Sequence, residues 1–293
     1  MKSGAVGIIG WTNVGKSTLL NRLVGEKVAA VSNVPQTTRN RITGVLNVPD
    51  RGQIVFMDTP GLHKPKYRMN RAMIEIARGT LGGVDAVILM VDGDRGLGPG
   101  DRQAAALLQQ VDVPKVVAVN KVDRIKPKTR LFPLLQAVVD DLGFPAAVPI
   151  SARRGDGCDQ LVEEVLKVLP DGEPLFPEDY LTDQPERTLA AEYVREKILR
   201  RTRQEIPHAV AVLIESWEER EGIVNVGATI LVERESQKAI VIGKGGELLK
   251  QVGTESRLEL EALLGVRMHL TLWVKVRKDW RNDRSTLHEI GLS

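Results

Sequence analysis

With one cysteine in 293 residues, Cys158, the chain can form no internal disulfide, and no CxxC pair is present to hold zinc. The thiol reads as a small, partly buried side chain, and the chain as one made for a reducing compartment. No apolar run reaches the roughly 18 residues that a membrane span requires, and the run in MKSGAVGIIG is too short for a signal peptide. A cytoplasmic protein is therefore expected. Charge of one sign is lacking as well: 41 Lys and Arg stand against 38 Asp and Glu, a net of +3. A polyanionic partner has to be argued from where the charges sit rather than from their sum. Internal repeats and low-complexity tracts are absent, which excludes solenoid architectures.

The length suits two domains. Short apolar runs at 5 to 10, 53 to 58, 86 to 92, 115 to 120 and 146 to 151 alternate with segments of helical periodicity, the pattern of a mostly parallel α/β sheet covered on both faces. The segment 41 to 48 adds a strand at the edge. Residues 170 to 186, PDGEPLFPEDYLTDQPE, hold four prolines and a cluster of acids and read as a linker. Beyond it the order becomes helix, strand, strand, helix, helix, strand, a small α+β domain. The expected division is residues 1–170, a linker over 171–186, and residues 187–293.

GWTNVGKS, residues 10 to 17, fits G-x-x-x-x-G-K-[ST] and lies after a strand and before a helix. Gly10 opens the loop, and backbone N–H groups of Asn13, Val14, Gly15, Lys16, Ser17 and Thr18 would cradle phosphates. Lys16 would reach the β- and γ-phosphates, and Ser17 would bind Mg²⁺. DTPG places Asp58 to hold Mg²⁺ through water and Gly61 to meet the γ-phosphate with its N–H. NKVD ends another strand: Asp123 can accept from guanine N1–H and from the 2-amino group that adenine lacks. Asn120 would brace the loop and approach N7, the stem of Lys121 would cover the base, and Ser151 with Ala152 would offer an N–H to the guanine oxygen. Taken singly, NKVD also reads as an exposed turn and the Ser151 segment as a helix cap. Together, in order and on one sheet rim, they read as a guanine nucleotide site.

Between the first helix and DTPG lies VSNVPQTTRNRI, a polar stretch that reads as a switch or as an ordinary Thr-rich loop. Thr38 is its candidate Mg²⁺ and γ-phosphate ligand. Lys16, Thr38, Asp58 and Gly61 form the expected catalytic set, and Ser17, Thr38 and Asp58 the metal set. Leu62 follows DTPG where a water-orienting glutamine would serve, so slow intrinsic turnover is expected. Asn13 reads either as a ligand for an activating K⁺ or as a loop brace.

A second glycine loop, GKGG at 243 to 246, is too short for a P-loop and has no Ser or Thr after it. G-x-x-G is the backbone clamp of KH domains, which bind single-stranded nucleic acid. Lys238, Lys244, Lys250, Arg200, Arg201 and Arg203 supply positive charge nearby. Trp273 and Trp280 are open to two readings, stacking platforms or packing.

NVGKSTLLN, PQTTR, DTPGLH, NKVD, FPEDYLTDQPER, ERESQKAIVIGKGG and LWVKVRKDWR together cover nearly the whole chain. In these it resembles the Era GTPases, bacterial ribosome-associated proteins with a Ras-like G domain followed by a type II KH domain. The resemblance implies GTP hydrolysis to GDP, binding of the 3′ end of 16S ribosomal RNA, and roles in its maturation and in assembly of the small (30S) ribosomal subunit. It implies Ile242, Gly243, Lys244, Gly245, Gly246 and Lys250 as RNA contacts, Mg²⁺ as cofactor, a monomer, and peripheral association with the inner face of the cell membrane. Trp11 and Thr12 depart from the family pattern, which has a basic residue followed by proline there. Two rival expectations stand: an RNA-binding module without productive hydrolysis, and a GTPase of another pathway such as tRNA modification.

Overall fold

The structure, a computed structural model, describes residues 1–63, 65–204 and 206–292. The chain folds into two compact units. One comprises Met1–Ala29, Thr38–Pro65 and Met73–Asp183; the other comprises Ala30–Thr37, Lys66–Ala72 and Gln184–Ser293. The second unit thus contains two short excursions from the first, one before Thr38 and one after the DTPG motif.

In the first unit, β1 (Lys2–Gly10), β2 (Ile42–Val48), β3 (Gly52–Asp58), β4 (Ala86–Asp92), β5 (Lys115–Asn120) and β6 (Ala147–Pro149) form one sheet in the order β2-β3-β1-β4-β5-β6. Every pairing is parallel except that of the edge strand β2 with β3. The central strands are apolar on both sides because both sides are covered. Val6 and Ile8 of β1 and Ile88 and Met90 of β4 face α1 (Lys16–Val24) and α5 (Cys158–Val168). Ala5, Ile9, Leu89 and Val91 face the opposite layer. That layer is built by α2 (Arg68–Thr80), α3 (Pro99–Gln109) and α4 (Leu131–Leu142). Since side chains alternate along a strand, these runs feed two cores with a period of two.

The proline-rich segment read as a linker is strapped to the first unit. Leu181 accepts from the Val45 N–H at 2.9 Å, the Leu175 and Phe176 N–H groups donate to Gln53 Oε1, and Phe176 stacks on Tyr180. The strap gives partners to the edge strand β2, which would otherwise present open backbone groups.

Cys158 opens α5 almost fully buried. Burial pushes its thiol up to about 11, with Asp159 and Asp156 adding to the shift and Arg22 opposing it. Its thiolate fraction at pH 8 is therefore about a hundredfold below that of an ordinary thiol. Alkylation by iodoacetamide should be slower by at least that factor in the native protein than in urea; equal rates would show the thiol to be open.

In the second unit, α6 (Glu186–Arg201), α7 (Ile206–Ala209), β7 (Ala211–Arg220), β8 (Ile223–Val232), α8 (Glu235–Ile242), α9 (Glu247–Leu264), β9 (Arg267–Val276) and α10 (Arg284–Glu289) follow in order. The sheet is β7-β8-β9, antiparallel then parallel. Val194 and Ile198 of α6 and Val252 of α9 pack on Val212, Ile230 and Val274 of the sheet. The helix-strand-strand-helix-helix-strand order read from periodicity is the one observed, with α7 and α10 added as short helices.

Candidate functional site

Because β1, β3, β4, β5 and β6 are parallel, their C-terminal ends share one rim of the sheet, where open α/β folds bind ligands. β1 lies between β3 and β4. The loop after Gly10 is therefore flanked by Asp58 at the end of β3 and by Asp92 at the end of β4. That loop enters α1 through Gly15, whose φ of 108° belongs to the left-handed region. A Cβ there would lie 2.4 Å from Asn120 Nδ2, so only glycine serves. No side chain caps α1, and its first N–H groups are left to an anion. Lys16 Nζ donates to the carbonyls of Gly10 (3.2 Å) and Trp11 (3.1 Å), which holds the ammonium over the loop.

Ser17, Thr38 and Asp58 converge. Ser17 Oγ donates to Asp58 Oδ2 at 2.6 Å and lies 2.7 Å from Thr38 Oγ1, which donates to the same Oδ2 at 3.3 Å. Asp58 is fully buried, and its Oδ1 has no hydrogen-bond partner. Two hydroxyls and a buried carboxylate with a vacant oxygen fit a hard cation such as Mg²⁺, which takes oxygen ligands and completes its shell with water and phosphate. Burial pushes Asp58 up to about 6, against the opposing pull of Lys16, Ser17, Thr38 and the Thr59 N–H. Burial likewise pushes Lys16 down to about 8, with Asp58 opposing.

On the other side of the loop, Asn120 acts as a brace. Its Nδ2 donates to the Val14 carbonyl (2.7 Å), and its Oδ1 accepts from the Ala152 N–H (2.9 Å). The Ala152 N–H thus meets Asn120, and the Ser151 N–H meets the Asp156 carbonyl at 2.8 Å. Lys121 Nζ bridges the Asn13 carbonyl (2.7 Å) and Asp92 Oδ2 (2.6 Å), which fixes its stem. Asp123 Oδ1 accepts from Ser151 Oγ at 2.8 Å. Desolvation raises the Asp123 carboxyl, but the Ser151 hydrogen bond, its own backbone N–H, Arg154 and Arg124 together bring it below the usual carboxylate range. It therefore stays ionised, as an acceptor-only group must.

Trp11, the departure in the loop, lies over Gly100 at the start of α3; a Cβ on Gly100 would come within 2.3 Å of the indole. Its bulk is accommodated by a glycine from a different element. Leu62 is buried in the apolar layer beneath α2 and α3, its N–H donating to the Gly10 carbonyl at 3.2 Å. It ties DTPG to the P-loop and offers no group to a water.

Two residues of the rim escaped the sequence reading. Asp92, which anchors Lys121, carries the faint signal of an acid closing a buried strand. His63 lies 2.8 Å from the Gly61 carbonyl through Nδ1, and its pKa is held down chiefly by burial.

In the second unit, GKGG joins α8 to α9. Gly243, Gly245 and Gly246 have φ of 77°, 61° and 81°, which side chains resist, so the loop's shape depends on glycine at all three positions. Lys244 and Lys250 are exposed, and Ile242 is half-buried beside them. Trp280 is fully buried and donates from Nε1 to the Ala209 carbonyl at 3.0 Å, so it packs rather than stacks on a ligand. Trp273 is 48% exposed on β9.

Residues 5–121 match the family model described as 50S ribosome-binding GTPase, and residues 205–281 the model described as KH domain. GTPase Era of Geobacter metallireducens is 48% identical over 292 residues, covering 99% of this chain and 97% of that one. GTPase Era of Heliobacterium modesticaldum is 47% identical with the same coverage. Among solved structures, Era in complex with MgGDPNP and nucleotides 1506–1542 of 16S ribosomal RNA matches with a TM-score of 0.97 at 42% identity, covering 100% of this chain and 99% of that one. A variant of Aquifex aeolicus Era bound to GDP and AlF₄⁻ matches with a TM-score of 0.95 at 42% identity, covering 100% of both chains. A guanine-type P-loop rim and a KH loop in one chain, matched from end to end at this identity, place the protein in the Era family of GTPases.

Proposed function

We propose that this GTPase holds the 3′ end of 16S ribosomal RNA during maturation and 30S assembly, and that GTP hydrolysis times its release. The G domain, 1–170, carries the chemistry; residues 187–293 carry the RNA; 171–186 join them. The observation that carries the reading is the likeness, over the full chain, to an Era structure holding MgGDPNP together with nucleotides 1506–1542 of 16S ribosomal RNA. The model whose description names the 50S subunit matches only 5–121, which lack the RNA loop.

In this reading Lys16 moves from the loop carbonyls to the β- and γ-phosphates, and the N–H groups of Asn13 to Thr18 cradle them. Ser17, Thr38 and Asp58 would hold Mg²⁺, which would supply positive charge to offset that of the phosphate oxygens. The N–H groups of Thr38 and Gly61 sense the γ-phosphate. Asp123 reads guanine, and Lys121 covers the ring. Leu62, turned into the core, leaves the attacking water without a side-chain guide, so turnover is slow until another component helps. Asn13, at φ 62° beside the phosphates, serves as a K⁺ ligand. The protein acts as a monomer in the cytoplasm and associates peripherally with the inner face of the membrane; among the described residues no helix is long and apolar enough to cross one.

The test is binding of the full-length protein to a single-stranded copy of the 16S 3′ end at fixed salt, with GDP or GDPNP. Tighter binding with GDPNP is expected. Lys244→Asp should weaken it at least tenfold and flatten the salt dependence by about one phosphate contact or more. Equal binding in both nucleotide states would overturn the timer.

A further inference from the structure

The sequence leaves Trp273 and Trp280 open between packing and stacking, and the structure separates them. Trp280 is fully buried, whereas Trp273 is 48% exposed. Along β9 the even-numbered residues Met268, Leu270, Leu272, Val274 and Val276 join the apolar cores beneath the helices. Side chains alternate along a strand, so Arg267, His269, Thr271, Trp273 and Lys275 take the opposite face of the β7-β8-β9 sheet. Arg267, His269 and Lys275 are exposed, and this row holds no carboxylate.

The indole lies across the neighbouring strand rather than standing free. β8 and β9 pair in parallel, with Gly227 opposite Thr271 and Thr229 opposite Trp273. A Cβ on Gly227 would come 3.1 Å from Cζ3 of Trp273 and 2.5 Å from Ser216 Oγ. Gly227 has no positive φ, so its backbone does not require glycine; what requires it is the close approach of the indole and the hydroxyl. One side of the ring thus rests on β8, and its exposed area faces solvent. A ring held in this way suits a nucleobase, because every base has a π-face and the supported indole has little rotamer freedom left to lose. The cations along the same strand fit the phosphates that travel with a base. Lys275 pairs with Glu215 of β7 at 2.9 Å, but both are exposed, and a surface pair is worth little against a phosphate.

We propose that the face of this sheet turned away from α8 and α9 is a second contact for single-stranded RNA, in which an unpaired base stacks on Trp273. The inference rests on the reading of residues 187–293 as the RNA-binding part given above, and it extends the contact beyond GKGG. α8 and α9, which that loop joins, pack on the even-numbered side of β9, and β9 is an edge strand. RNA clamped at the loop has to cross the β9 edge before a base reaches the indole. Only a strand longer than the four or so nucleotides that a G-x-x-G loop clamps gains from Trp273.

The experiment measures dissociation constants of the full chain for two single-stranded copies of the 16S 3′ end, one of about four nucleotides and one of about twelve, at fixed salt with GDPNP. The wild type is compared with Trp273→Leu, Trp273→Phe and Lys244→Asp. Leucine keeps an apolar cover over Gly227 but has no π-face. Trp273→Leu should weaken binding of the longer RNA about tenfold, the worth of one stacked base, and leave the shorter within about twofold. Trp273→Phe should recover most of the loss. Equal losses on both RNAs, or the same loss with leucine as with phenylalanine, would mark Trp273 as a packing residue and overturn the proposal. No loss at all would overturn it too and leave the face to a protein partner. Photo-crosslinking of the longer RNA, substituted with 5-iodouridine, to the wild type needs no variant: a cross-link within 267–276 is expected, and cross-links confined to the GKGG peptide would count against the platform. Lys244→Asp separates the two readings. If it weakens both RNAs while Trp273→Leu weakens neither, only the platform fails. If it weakens neither, the RNA reading of 187–293 fails and the platform with it.

Discussion

Lys16→Met is expected to lower single-turnover GTP hydrolysis by about a thousandfold, about 4 kcal/mol of transition-state stabilisation. The side chain is nearly isosteric, so the loss comes from charge. In the structure Nζ is held over the loop by the Gly10 and Trp11 carbonyls, partners that it exchanges for phosphate oxygens in the proposed reading. An ammonium in a water-poor site stabilises charge developing between the β- and γ-phosphates far better than one in bulk water. GDP affinity should fall less than the rate does, because part of the contact is made only as the bond breaks. A pH signature accompanies it. In the nucleotide-free site burial holds Lys16 down to about 8, and only its charged form attracts phosphate. Wild-type nucleotide association should therefore weaken as pH rises through about 8, whereas the methionine variant shows no such step. Rapid-quench turnover and stopped-flow association with a fluorescent GDP read both; unchanged hydrolysis would remove Lys16 from the mechanism.

Asp123→Asn is expected to exchange one base for another. The carboxylate, ionised and oriented by Ser151 Oγ at 2.8 Å, presents only acceptors, which match guanine N1–H and the 2-amino group. An asparagine presents one acceptor and one donor. Its donor faces the 2-amino group of guanine, and GTP binding should weaken by about a hundredfold to a thousandfold, because a polar group is left opposite a like group in a site built to pair it. Xanthine carries an oxygen where guanine has the amino group, and xanthosine triphosphate should bind the variant better than GTP does. Competition between the two nucleotides on the wild type and the variant gives the answer directly. Were guanine still preferred, another group on the rim would have to read the base.

The magnitude expected for Asp123 depends on neighbours that no linear pattern announces. Asn120, Lys121 and Asp123 are adjacent in sequence, yet their side chains serve three different tasks. Asn120 ties Val14 to Ala152, Lys121 is held by Asn13 and Asp92, and Asp123 is oriented by Ser151.

The sequence by itself determined the elements, the order of the motifs and the presence of two folds. Strand and helix periods differ, a P-loop needs glycine and lysine at fixed spacing, and a G-x-x-G turn between helices needs backbone that only glycine adopts; these are local constraints, and local constraints are written in linear order. It did not determine that 30–37 and 66–72 belong to the second unit, or that the proline-rich segment is strapped to β2. Those features depend on which surfaces meet once the chain has folded. The Leu175 N–H donates to a Gln53 side chain 122 residues away, a pairing that leaves no periodicity to read, and the edge strand that the strap covers exists only in the tertiary structure.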